Sequence, residues 1–126
     1  MKVLSIIACG YRATLEEQDD TVLWISQAMS RAGAEIDILL RSAAVNYLVE
    51  GQSVAPLAIG GRVQRNAPDV NGQLRDLAER GVGLFVLAED LAAYGLEDVR
   101  RLDRATIVRA DELADLVTRY DAVWHW

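Results

Sequence analysis

Residues 81–96 read Gly81-Val-Gly-Leu-Phe-Val-Leu-Ala-Glu-Asp-Leu-Ala-Ala-Tyr-Gly-Leu96, and the reading of this stretch decides the fold. Val82 to Leu87 is an apolar run of strand length, rich in strand-forming residues. It breaks at two acids, Glu89 and Asp90. A short helical pattern follows and stops at Gly95, a residue suited to the left-handed conformation that ends helices. A buried strand that runs into an acidic turn and a helix is the building unit of an α/β sheet. Open α/β sheets keep their sites at the carboxyl ends of the strands, so Glu89 and Asp90 are expected at such an edge.

The flanking sequence repeats the same unit. Val3 to Ala8 is an almost unbroken apolar run, as expected of a strand covered on both faces of a parallel sheet. It ends at Cys9-Gly10. Two helix starts compete after it: Thr14-Leu-Glu-Glu17 has the form of a capping box, and Asp19-Asp20-Thr21 offers a second start. The helix beyond carries Val22, Ile25 and Met29 on one stripe, flanked by Leu23, Trp24 and Ala28, and stops at Gly33. Ile36 to Leu40 reads as a second strand, with Asp37 near its beginning or on its less buried face. A short helix through Ala44, Val45 and Leu48 ends at Gly51. Residues 52–69 hold both prolines and the Gly60-Gly61 pair and show no periodicity; loops of this length are functional or mobile. Asp69 can cap a helix with the stripe Val70, Leu74, Leu77 and Ala78, in which Gly72 is a weak point. After Gly95 come a polar segment with Arg100, Arg101 and Arg104, a short strand from Ala105 to Val108, and a helix starting at Asp111 with Leu113, Leu116, Val117 and Tyr120 on one face. Asp121 to Trp126 closes the chain as a strand. The alternation predicts a three-layer α/β/α sandwich around a mainly parallel five-stranded sheet, flavodoxin-like in general appearance. The strand order is not readable from it.

The chain has 126 residues, a length that fits one domain, and 52% of them are hydrophobic, enough for a core. A net charge of -6 argues against nucleic acid or an anionic membrane surface as partner. No apolar run approaches the roughly 18 residues of a membrane span, and the first residues are too short and too β-branched for a signal peptide. With one cysteine and one histidine there is no disulfide framework and no recognisable metal-ligand spacing. A cytoplasmic protein without a metal or cofactor is expected.

Five features could carry chemistry. Cys9 ends the first strand and is the only thiol, a candidate sulfur or redox carrier; the plainer reading is a half-buried small hydrophobe. Arg12 lies near it, but Glu16, Glu17, Asp19 and Asp20 oppose thiolate formation. His125 would reach the same edge if the last strand is parallel to the first, making a Cys-His pair conceivable. Glu89 and Asp90 are a candidate binding pair, although Asp90 as the helix cap with Glu89 in water is plainer. Gly60-Gly61-Arg62, with Arg65, could bind an anion through turn amides, the alternative being an ordinary loop with solvated arginines. Trp124 and Trp126 share one face of the last strand and fit either the core or a subunit contact, with the contact favoured for at least one.

In order of elements, the chain resembles the DsrE/DsrF/DsrH-like family of small sulfur-relay proteins, which includes the Tus sulfur-transfer subunits. Phe85-Val-Leu-Ala-Glu-Asp-Leu-Ala-Ala-Tyr-Gly-Leu96 is similar to the strand, acidic turn and helix end of the DsrH/TusB branch. Asp121-Ala-Val-Trp-His-Trp126 is similar to that branch's terminal strand, and Ala43-Ala-Val-Asn46 with Gly51 resembles the family's second helix. The resemblance implies one DsrE-like domain over residues 1–126, trimers or hexamers or a complex with related subunits, and a sulfur-carrier protein as partner. It also implies a departure. Sulfur-carrying members place a cysteine eight residues before the helix-closing glycine, and that position is Leu87 here. Tyr94 stands where the family often has arginine. Leucine cannot hold a persulfide, so the expected role is an oligomeric accessory or binding component of sulfur metabolism. The alternatives are a carrier that uses Cys9 and a nucleotide-like small-molecule binding module.

Overall fold

The computed structural model describes residues 1–11 and 20–126. The capping box at Thr14 to Glu17 and the residues Arg12 and Asp19 lie outside the described residues. Strand β1 is Lys2–Ile7, followed by helix α1, Thr21–Arg31, and strand β2, Glu35–Leu40. A 3-10 helix, Ser42–Leu48, leads to a small hairpin, β3 (Ala58–Ile59) and β4 (Arg62–Val63). Helix α2 (Val70–Glu79), β5 (Leu84–Leu87), helix α3 (Ala88–Ala93) and β6 (Ala105–Val108) come next. A short 3-10 turn, Ala110–Glu112, enters α4 (Leu113–Val117), and β7 is Ala122–His125.

The five main strands form a parallel sheet in the order β6-β5-β2-β1-β7. Three successive crossovers step the chain in one direction from β1 through β2 and β5 to β6, and the last crossover returns it to the far side of β1. Right-handed crossovers put the connections of a one-way walk on one face and the returning connection on the other. The core divides accordingly. Val3, Ile7, Ile38, Leu40, Leu84 and Val86 face α1, α2 and the Ser42–Leu48 helix in the larger cluster. Leu4, Leu39, Leu87 and Val108 face Leu116 of α4 in a smaller one. The expected α/β/α sandwich with a parallel five-stranded sheet is the fold observed.

Local chemistry sets the helix starts. Asp20 caps α1, accepting from the backbone amides of Val22 at 3.0 Å and Leu23 at 2.9 Å. Asp69 caps α2 through the Gly72 amide at 2.8 Å. Gly72 is what makes that cap fit: a Cβ there would lie 2.4 Å from Asp69 Oδ2. The buried stripe of α1 differs from the expected one. Leu23, Ser26 and Gln27 point inward while Trp24 and Ile25 are exposed. The helix is turned by polar contacts with α2, where Gln27 Nε2 donates to Asp76 Oδ2 at 2.6 Å and Gln73 lies alongside. The stretch 52–69 also differs from a structureless loop, because Gly60 and Gly61 have φ of 57° and 77°. Two successive left-handed residues build the tight hairpin turn whose twist suits β-strands.

Asp37 is buried on the second face of the sheet, toward the amino ends of the strands. It accepts from the Gly83 amide at 2.6 Å and the Tyr120 hydroxyl at 2.7 Å, and pairs with Lys2 at 3.1 Å. One carboxylate thus joins β2, β5 and the segment before β7.

Candidate functional site at the carboxyl edge of the sheet

At the carboxyl edge the strand order brings together, side by side, residues 109–110 after β6, Ala88 to Asp90 after β5, Arg41-Ser42 after β2, Cys9-Gly10 after β1, and Trp126 after β7. Three of the five candidates read from sequence therefore meet along one line, and His125 stands one residue back from it in β7.

Glu89 and Asp90 are neither a free carboxylate pair nor a cap with its solvated neighbour. Leu87 occupies the cap position of α3, and no side chain caps that helix. Asp90 reaches across to the end of β2, accepting from the Ser42 amide at 2.7 Å and from Arg41 Nε at 3.2 Å. Glu89 reaches the other way and accepts from the Ala110 amide with both carboxylate oxygens at 3.0 Å. Adjacent residues at a helix start diverge, so each acid ties β5 to a different neighbouring strand. Glu89 stays exposed and Asp90 half-buried.

Cys9 is exposed. Among the described residues, no hydrogen bond joins it to His125, and no group of three or more His, Cys, Asp or Glu is placed to hold a metal ion. His125 is also exposed, on the opposite sheet face from Trp124, at the level of Ile6 in the register between β1 and β7. Trp124 packs partly buried on the larger core, edge-on to Trp126 at 6.5 Å between centroids. Trp126 donates from Nε1 to Ser5 Oγ at 3.1 Å and keeps 39% of its surface exposed. Gly60, Gly61 and Arg62 sit in the hairpin with their side chains or backbone in solvent.

Beneath the Cys9 turn lies a polar assembly that the sequence did not single out. Gly10 sits against the 3-10 helix, where a Cβ would come within 3.2 Å of the Ala43 carbonyl oxygen. Tyr47, fully buried, donates its hydroxyl to Oδ2 of the α1 cap Asp20 and accepts the Tyr11 amide. The Asp20 amide in turn donates to Gln73 Oε1 at 3.1 Å. Burial drives the Tyr47 phenol far above its ordinary ionisation range, and donation to Asp20 adds to this. Tyr11, two residues beyond Cys9, and Ser42, at the end of the adjacent strand β2, hold φ of 58° and 48°. Such left-handed backbone is strained for residues with a Cβ. The Ser42 conformation is held by Asp90 at its amide, and the Tyr11 conformation by Tyr47. A lone tyrosine inside a short apolar helix was the available signal for this hub.

Leu87 ends β5 inside the smaller core cluster and is 2% exposed. The arrangement thus offers one accessible thiol on a braced edge, while β5 ends in a buried leucine. Among the described residues no helix is long and apolar enough to cross a membrane.

No protein-family pattern matches the chain, and no curated protein sequence does. Solved structures do match. The crystal structure of the YchN protein from E. coli is similar with a TM-score of 0.74 and 18% identity, covering 100% of both chains. A conserved protein of unknown function from Bacteroides thetaiotaomicron, BT1422, is similar with a TM-score of 0.61 and 10% identity, over 99% of this chain and 95% of that one. From first residue to last, the chain has the same fold as YchN.

Proposed function

We propose that this chain is an accessory or binding component of a sulfur-relay-type system, assembling in the cytoplasm with further copies or related subunits and carrying no persulfide itself. The fold shared with YchN and the DsrE-like sequence features support the setting. The observation that carries the role is Leu87: a buried aliphatic side chain, 2% exposed, fills the place where the resembled family keeps its sulfur-bearing cysteine. In this reading the carboxyl edge is a docking edge, kept in shape by Glu89 and Asp90. The test is sulfur transfer from a persulfidated carrier protein through the assembly. Cys9→Ser is expected to leave transfer at the wild-type level.

One observation favours a second reading. Cys9 is exposed at the same edge, two residues before the strained Tyr11. As a relocated carrier its thiolate would attack the outer sulfur of the donor persulfide, take that sulfur, and release the donor's thiolate. Strict dependence of transfer on Cys9, with one added, reductant-labile sulfur in the intact mass, would establish this reading over the first.

A further inference from the structure

The β3–β4 hairpin is built unlike the rest of the molecule. An isolated two-stranded hairpin is marginal in water and needs a surface to pack on. All four of its strand residues are nevertheless exposed. Ile59 is 73% and Val63 63% exposed. The register pairs Ile59 with Arg62 and Ala58 with Val63, so each face of the ribbon presents one large aliphatic side chain. Apolar residues gathered on a projecting arm mark an interaction surface. The arm also has its own charge. Residues 52–68 contain Arg62 and Arg65 and no acid, in a chain of net charge -6. Neither arginine has an ion-pair partner among the described residues.

A surface of matching character lies on the opposite sheet face. Among the described residues, only the Ala110–Glu112 turn and the five-residue α4 cover that face. Ile6 and Phe85 remain partly exposed there, and Val123 is 41% exposed. Its rim is acidic: Glu89, Asp111, Glu112 and Asp115 are exposed, and Arg109, the one cation between residues 109 and 115, pairs with Asp111 at 3.0 Å and leaves the other three acids in excess. An apolar centre with an acidic rim is the complement of an apolar arm with two arginines.

We propose that the hairpin of one copy seats on this acidic-rimmed sheet face of a second copy, head to tail, with its Ile59–Arg62 face turned down, Ile59 covering the apolar centre and Arg62, with Arg65, meeting the rim. The inference rests on the self-associating reading above and names its surface. Because the two patches are different parts of one chain, the contact is heterologous and repeats from copy to copy, forming a ring where its rotation closes, rather than an isolated twofold pair.

The test is light scattering coupled to size-exclusion chromatography over a concentration series, with far-UV circular dichroism as the check on fold. Ile59→Ser, and separately Arg62→Glu with Arg65→Glu, are expected to weaken assembly at least about tenfold, the usual scale for central or charge-paired interface groups. Asp115→Arg is expected to weaken it as well, and combining it with the two arginine reversals to restore most of the wild-type assembly. A wild-type assembly that persists in both hairpin variants would overturn this inference and leave the oligomeric reading standing. Dissociation by the hairpin variants without recovery in the combined variant would overturn the proposed seat. A wild-type protein that stays monomeric at every concentration would overturn both.

Discussion

Tyr47→Phe should be costly for the loss of a single atom. The substitution keeps the ring in the core and removes one oxygen. That oxygen makes two bonds, donating to the buried Asp20 carboxylate and accepting the Tyr11 amide. Asp20 is 3% exposed, so water does not replace the lost donor. A hydrogen bond to a buried charge contributes about 1.5–3 kcal/mol, and the orphaned, half-buried Tyr11 amide adds about 1 kcal/mol. Asp20 keeps its two α1 amides, which limits the loss. The sum is about 3 kcal/mol, or roughly a 10 °C lower midpoint for a domain of this size. Urea unfolding followed by circular dichroism and by tryptophan fluorescence would measure it. Tyr11→Phe is the control, since its hydroxyl reaches only Gln52 at an exposed site, and a change under about 1 kcal/mol is expected. A loss below about 1 kcal/mol in Tyr47→Phe, or equal losses in both variants, would refute the claim that this tyrosine braces the Cys9 turn and the α1 cap together.

The same chemistry sets a pH dependence. Tyr47 and Tyr120 both have phenols raised above their ordinary value, first by burial and then by donation to Asp20 and Asp37 respectively. A raised folded-state value means that stability is fully present below the unfolded tyrosine value near pH 10 and is lost as pH rises beyond it. The fall should approach about 1.4 kcal/mol per pH unit for each phenol that stays protonated only in the folded state, over a shorter pH range and with a smaller total for the more exposed Tyr120. Urea midpoints between pH 9 and 11 that stay flat, or an equally steep fall in Tyr47→Phe, would contradict this. Gly83→Ala should destabilise by about 1–3 kcal/mol, because the new methyl would lie 2.8 Å from Asp37 Oδ1 in a core contact that has little room to shift. Thermal unfolding within about 0.5 kcal/mol of wild type would show that Asp37 can move aside.

The sheet was legible because each strand is written twice, as an apolar run and as the break that ends it. Ala105 to Val108 is the observed strand to the residue, and the cap Asp69 announced itself by type and position, whereas Asp20 was part of one of two competing helix starts. The carboxyl-edge location of Cys9, Glu89 and Asp90 followed from strand ends alone. What those residues bond to did not. Asp90 finds Ser42 across 48 residues, and Glu89 finds Ala110 across 21. Such partners depend on strand order, which no local pattern encodes. The inward turn of Gln27 on α1 was hidden for a related reason: a polar residue is buried only when another helix supplies its partner, here Asp76. The hairpin could have been found, since Gly-Gly between short β-prone dipeptides is the composition of a tight turn. Its shortness, two residues per strand, left the periodicity mute.

The pairing of β7 with β1 shapes how the molecule comes into being. Val3 lies beside Ala122 and Lys2 hydrogen-bonds Asp121, so on the ribosome β1 waits for β7. Contacts closed over such a span are slow to form, because nearly the whole chain must lose its freedom before they repay it. Until residues 122–125 emerge, β1 can pair only with β2, and one flank of a strongly apolar strand stays open. An open strand flank is a template for any neighbouring chain. On a polysome the seventh strand of one copy can fill the place meant for another's, and exchange of that single short segment would leave each finished fold intact while joining two chains into one object.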